Sequence, residues 1–148
     1  MKTASLYSYA RRHGHSVFQR KLNRVNSLSV LLEDGSCVIG IDRTGMTEAQ
    51  ERTQLAHEIG HCETGSFYSR YIKVDSRQRH ENRADKWAIR KLIPVDKLDE
   101  AVAEGRTELW DLADYFEVTE DFMRKAICYY THGNLAVESY IPTQHTNV

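Results

Sequence analysis

The sequence predicts an α+β protein, a small antiparallel hairpin followed by helices that run almost to the end of the chain. Three observations point there. In SLSVLLEDGSCVIGID, Leu28, Val30 and Leu32 recur at a period of two, as do Cys37, Ile39 and Ile41, on either side of an Asp34-Gly35 turn. Thr47, with Gln50 three residues on, then opens a helical run. From Ser76 onward the apolar spacing is helical, and Pro94, Gly105 and Val118-Thr119 divide it into segments.

In chain order, Ala4–Arg12 reads as a short helix, and the two period-two runs form the hairpin. The helix from Thr47 passes through LAHEIGHCE and stops near Gly65, after which a polar, tyrosine-rich loop follows. A second long helix occupies about Ser76–Ile93, where Pro94 cannot continue it. Residues 95–104, 107–117 and 120–131 form three short helices, the last capped by Thr119. The tail after Gly133 is polar and expected to be loose.

Length and composition bound what such a chain can be. At 148 residues the expectation is one domain, divided into 1–45, 47–93, 95–131 and a tail of 133–148. The net charge of −1 and 41% hydrophobic content argue against disorder and against a uniformly basic nucleic-acid binder. No apolar run is long enough to span a membrane, and the opening MKTASLYSYARRHGH has no apolar core of a secretory signal. Three cysteines (Cys37, Cys62 and Cys128), odd in number and without CxxC spacing, are expected to be reduced thiols of a cytoplasmic protein. Charge is unevenly spread: residues 1–24 carry six basic side chains and no acidic one, whereas 107–131 carry six acidic side chains against Arg124 and Lys125.

The residues that point to chemistry are His57-Glu58-Ile59-Gly60-His61, an HExxH on a helix. A separation of four residues stacks both imidazoles on one face, where their nitrogens can reach one tetrahedral zinc at about 2.0–2.1 Å. Glu58 is rotated by about 100°, so it flanks the metal and can take a proton from the attacking water. With seven histidines in the chain, about 0.03 chance occurrences of the motif are expected. Leu55, Ile59 and Cys62 form a second, apolar face, with Cys62 expected to be a packing thiol, and Gly60 permits close backbone approach.

A zinc hydrolase needs a third protein ligand and leaves the fourth position to water. Glu81 supplies it from the second long helix. Asp85, four residues on and on the same face, is placed to hold the far nitrogen of a ligand histidine, and Ala84, Ala88 and Leu92 form a small stripe for close helix packing. His80 competes with Glu81 but points about 100° away, toward the cleft edge or solvent. Tyr68 and Tyr71, in the loop between the helices, are candidate donors to the oxyanion of a tetrahedral intermediate.

LAHEIGH, ENRADKWAIRKLIP and WDLADYFEVTEDFMRKAI together resemble the ImmA/IrrE family of metallopeptidases over about residues 28–131, in family order. The carboxylate pair Glu81 and Asp85 also resembles the gluzincin arrangement of thermolysin-like enzymes. The resemblance implies an α+β, zincin-like fold with zinc on His57, His61 and Glu81 and with Glu58 as general base. It further implies a protein partner, a helix-turn-helix transcriptional repressor that is cut or inactivated so that phage, mobile-element or stress genes are expressed. Two departures stand out. The chain carries no counterpart of the C-terminal sensor domain of larger members, so signal input is expected from elsewhere, and Cys62-Glu63-Thr64-Gly65 is more polar than in many relatives.

The rhythm of LADYFEVTEDFMRKAI is itself that of a helix-turn-helix, with Leu112, Ala113, Phe116, Val118, Phe122, Met123 and Ile127 as its core. Its acidic balance opposes phosphate contact, so it is expected to pack or to dock protein, and no direct nucleic-acid or membrane binding is expected. The rival to a zinc endopeptidase is an antirepressor that binds its partner and uses metal only structurally, or the protein half of a toxin–antitoxin-like pair.

Overall fold

The computed structural model describes residues 1–68 and 74–135, so Tyr71 and most of the tail lie outside the described residues. The chain folds as α1 (Thr3–Arg12), β1 (His15–Gln19), β2 (Ser27–Leu31), β3 (Cys37–Ile41), α2 (Glu48–Thr64), α3 (Val74–Leu92), α4 (Val95–Ala103), α5 (Leu109–Phe116) and α6 (Glu120–His132). This is the α+β architecture that the sequence predicts.

The hairpin is present, and a further strand joins it. β2 pairs antiparallel with β3, from Ser27 opposite Ile41 to Leu31 opposite Cys37, and β1 pairs with the other edge of β3 in parallel, giving a mixed sheet ordered β1-β3-β2. At the turn, Asp34 Oδ1 accepts from the Ser36 amide at 2.9 Å and Gly35 takes φ 88°, a left-handed conformation that favours glycine. The expected alternation holds on β3, where Cys37, Ile39 and Ile41 are all buried, and not on β2 and the residue after it, where Val30 and Leu32 are exposed. The physical reason is position, because a central strand is covered on both sides whereas β2 lies at the edge. β1 is short and polar, HSVFQ, and shows only a faint period of two, so the sequence does not announce it.

Helix α2 begins as its cap predicts. Thr47 Oγ1 accepts from the Gln50 amide at 3.1 Å and Gln50 Oε1 accepts from the Thr47 amide at 2.8 Å. Gly65 closes the helix at φ 66°, its amide donating to the His61 carbonyl. The buried Leu55, Ala56 and Ile59 of α2 meet Ile39 and Ile41 of the sheet, Leu6 and Ala10 of α1, and Ala88, Ile89 and Leu92 of α3 in one core. Helices α2 and α3 cross closely at Gly60, where an added Cβ would lie 2.5 Å from the Ala84 carbonyl oxygen.

The last three helices complete this core. Leu112, Ala113, Val118, Phe122 and Met123 are buried in it, and Phe116 and Ile127 pack on its edge, so the helix-turn-helix rhythm is spent on packing. Thr119 caps α6, accepting from the Phe122 amide at 3.2 Å. Arg52 of α2, buried to 1% exposure, donates to Glu117 at 3.0 Å across the α5–α6 corner. Among the described residues, no helix is long and apolar enough to cross a membrane.

The cysteine expectation is corrected at two positions. Cys37 and Cys62 form a disulfide, with Cα atoms 5.8 Å apart, so Cys62 is not a lone packing thiol; Cys128 lies outside any disulfide. Counting and spacing along the chain miss this pair because its members are 25 residues apart and meet only when β3 packs beside the last turn of α2.

Candidate metal centre

The helical repeat of α2 puts His57 and His61 on one face, and the close crossing at Gly60 brings α3 against that face. The ligand atoms of His57, His61 and Glu81 consequently lie within 4.8 Å of one another. His57 Nε2 is 2.8 Å from Glu81 Oε2 and 3.1 Å from His61 Nε2, and His61 Nε2 is 3.3 Å from Glu81 Oε1. Bonds of 2.0–2.1 Å around a tetrahedral ion separate its ligand atoms by about 3.3 Å, so the three donors need only small shifts to hold one.

The far side of each imidazole is already committed. His57 Nδ1 lies 2.7 Å from Asp85 Oδ1, and His61 Nδ1 lies 2.6 Å from the Ser66 carbonyl oxygen. A carbonyl only accepts, so His61 Nδ1 carries a proton, and its Nε2 faces Glu81 and His57. The donor chemistry therefore fits a divalent metal, with two imidazole nitrogens and one carboxylate converging, each oriented by a further partner.

Electrostatics supports the same reading. Burial alone would lower the His57 pKa, but its hydrogen bonds to Asp85 and Glu81 outweigh that and raise it to about 10. Burial pushes the Glu81 carboxyl up, yet hydrogen bonds from His57, His61 and Tyr68 hold it well below the ordinary carboxylate range. Asp85 is likewise held low, against its burial, by His57 and by Lys125, whose Nζ donates at 3.1 Å.

The cluster opens into a cleft of about 1160 Å³, walled on one side by β2 and on others by Tyr68, Phe122 and Lys125. Glu58 lines this cleft beside the histidines, and its Oε2 accepts from the Ser27 hydroxyl at 2.7 Å. Tyr68 donates to Glu81 Oε1 at 2.7 Å, so its hydroxyl is engaged with a candidate ligand. His80 stands apart from the cluster, half-buried with its ring centroid 5.9 Å from that of Tyr68.

Sequence reasoning misses the partners that arrive from elsewhere in the chain. Ser27, the Ser66 carbonyl and Lys125 have no spacing relative to HExxH that could reveal them. Only Ser66, five residues after His61 and just past the helix-ending Gly65, lies near enough along the chain for helix termination to hint at it.

A family model described as the IrrE N-terminal-like domain, Peptidase_M78, matches residues 10–127, about four-fifths of the chain. No curated protein and no solved structure matches the chain significantly. The chain belongs to this metallopeptidase family.

Proposed function

From its membership of the IrrE N-terminal-like family, we propose that this chain is a zinc-dependent endopeptidase whose substrate is a helix-turn-helix transcriptional repressor. The observation that carries the reading is the convergence of His57, His61 and Glu81 at the floor of an open cleft with Glu58 alongside. His57, His61 and Glu81 would hold the ion. When bound, zinc supplies Lewis acidity toward a carbonyl and makes water a nucleophile near neutral pH.

The chain's own residues carry the rest. Glu58 takes the proton of the attacking water and returns it to the leaving amine, a transfer that typically contributes about 10²–10⁴ in rate. Ser27 holds the Glu58 carboxylate in place, and Asp85 keeps His57 in the tautomer that turns Nε2 inward. Lys125 secures Asp85 in turn. Among the described residues, strand β2 has one edge unpaired and lines the cleft, so an extended segment of substrate can add to it by main-chain hydrogen bonds. That favours a scissile bond in a flexible stretch that can adopt a strand.

The test is to incubate zinc-loaded protein with a repressor encoded beside it, with and without chelator, and to look for a defined fragment by mass spectrometry. Wild type should yield the fragment only with metal, and Glu58→Gln should bind zinc but yield none. Derepression that survives in Glu58→Gln would replace hydrolysis by binding, the antirepressor reading.

A further inference from the structure

A second group of metal-ligating side chains lies on the opposite flank of α2. In-register pairing of β1 with β3 sets His15 beside Cys37, and the last turn of α2 brings Cys62 against both. The ligand atoms of His15, Cys37 and Cys62 lie within 4.8 Å of one another. Cys37 is 4% exposed, and His15 Nε2 is buried with no hydrogen-bond partner. A buried imidazole nitrogen left unpaired is uncommon and calls for a ligand. Glu63 Oε2 lies 3.8 Å from that nitrogen, and its other oxygen lies 2.9 Å from His13 Nδ1.

We propose that His15, Cys37 and Cys62 form a second metal site, separate from the His57–His61–Glu81 cluster, which takes a zinc-class cation when Cys37 and Cys62 are thiols and releases it when they are joined as the disulfide. Two thiolates and an imidazole are three of the four ligands that structural zinc favours, with the Glu63 carboxylate 3.8 Å from His15 Nε2, and soft sulfur ligands select zinc or cobalt over magnesium or calcium. The limited exposure of His15 (11%) and Glu63 (20%) leaves little room for an exchangeable water, unlike the open cleft.

The two states interconvert with atoms and electrons in balance. A dithiol reductant gives two electrons and two protons to the Cys37–Cys62 bond and itself becomes a disulfide. As the metal–sulfur bonds form, the two thiol protons pass to solvent and the sulfurs separate to about 3.8 Å, the span set by Zn–S bonds of 2.3 Å. In either state β3 is tied to α2 one residue from His61, so the site braces the helix that carries the first centre.

Cobalt titration of the full chain tests this independently of the proposed peptidase activity, because the first centre offers only nitrogen and oxygen. Kept reduced by a phosphine without air, wild type should bind about two Co²⁺ per chain and show thiolate-to-cobalt charge-transfer absorption. The disulfide form should bind one Co²⁺ fewer and lack the band. Cys37→Ser and Cys62→Ser should each weaken it by about half or more, the double variant should abolish it, and Cys128→Ser should keep it. Absence of the band in reduced wild type, or its survival in the variant lacking both Cys37 and Cys62, overturns the proposal. If the first centre fails instead, the sulfur band persists with a single equivalent.

Discussion

The Ser27 hydroxyl lies 2.7 Å from Glu58 Oε2, so the edge strand of the sheet reaches the carboxylate between the two histidines. A hydrogen bond to a charged group is worth about 1.5–3 kcal/mol, and the lower figure corresponds to roughly tenfold in rate. Ser27→Ala should therefore lower the hydrolysis rate by about tenfold or more while leaving zinc affinity unchanged. Rates and zinc affinities of Ser27→Ala against wild type check that split.

Asp85 holds His57 Nδ1 at 2.7 Å and is itself held by Lys125. Asp85→Asn keeps the size but can turn an N–H toward His57, which favours the wrong tautomer. Zinc affinity should fall by about 10–100-fold, read by competition against a chromogenic chelator. Lys125→Met should weaken zinc binding less, because Asp85 itself remains.

Proton linkage gives a third expectation. The folded, metal-free His57 has its pKa raised from 6.5 to about 10, so the stability it contributes is full below 6.5 and is lost as pH rises through about 10. Glu81 is shifted the other way, and its contribution is present above its ordinary value of 4.5 and lost on acidification. The thermal midpoint of the metal-free protein should fall between pH 7 and pH 10 as this term disappears. Because zinc displaces the His57 proton, binding at neutral pH should release it, which calorimetry in buffers of different ionisation enthalpy measures.

Gly60 faces the Ala84 carbonyl with no room for a side chain, since a Cβ would lie 2.5 Å away from backbone. Gly60→Ala should destabilise the fold by about 1–3 kcal/mol in urea unfolding. It should also loosen zinc binding, because the helix it pushes away carries Glu81 and Asp85. Gly105→Ala would be a poor control, as φ 97° there imposes its own strain.

Much of the candidate centre was legible because it is built from helical repeats. His57 and His61, and likewise Glu81 and Asp85, are four residues apart, and an α-helix puts such pairs on one face whatever surrounds it. Gly60 and the alanines of α3 announce a close crossing for the same reason. Tyr68 shows the limit of that reading, since its hydrogen bond to Glu81 follows from no helical spacing. Strand β1 shows another limit: five polar-leaning residues became a strand because β3 had a free edge to offer.

By itself, the sequence determined the helix caps at Thr47 and Thr119, the hairpin around Asp34-Gly35 and the pairing of residues within each turn of α2 and α3. These depend on backbone geometry over a few residues, which chain spacing encodes directly. Only the tertiary structure decided that Ser27 meets Glu58, that Arg52 meets Glu117, and that Cys37 meets Cys62. Those contacts join segments 25 to 65 residues apart, and their distances are set by how elements pack around a shared core, which no local periodicity records.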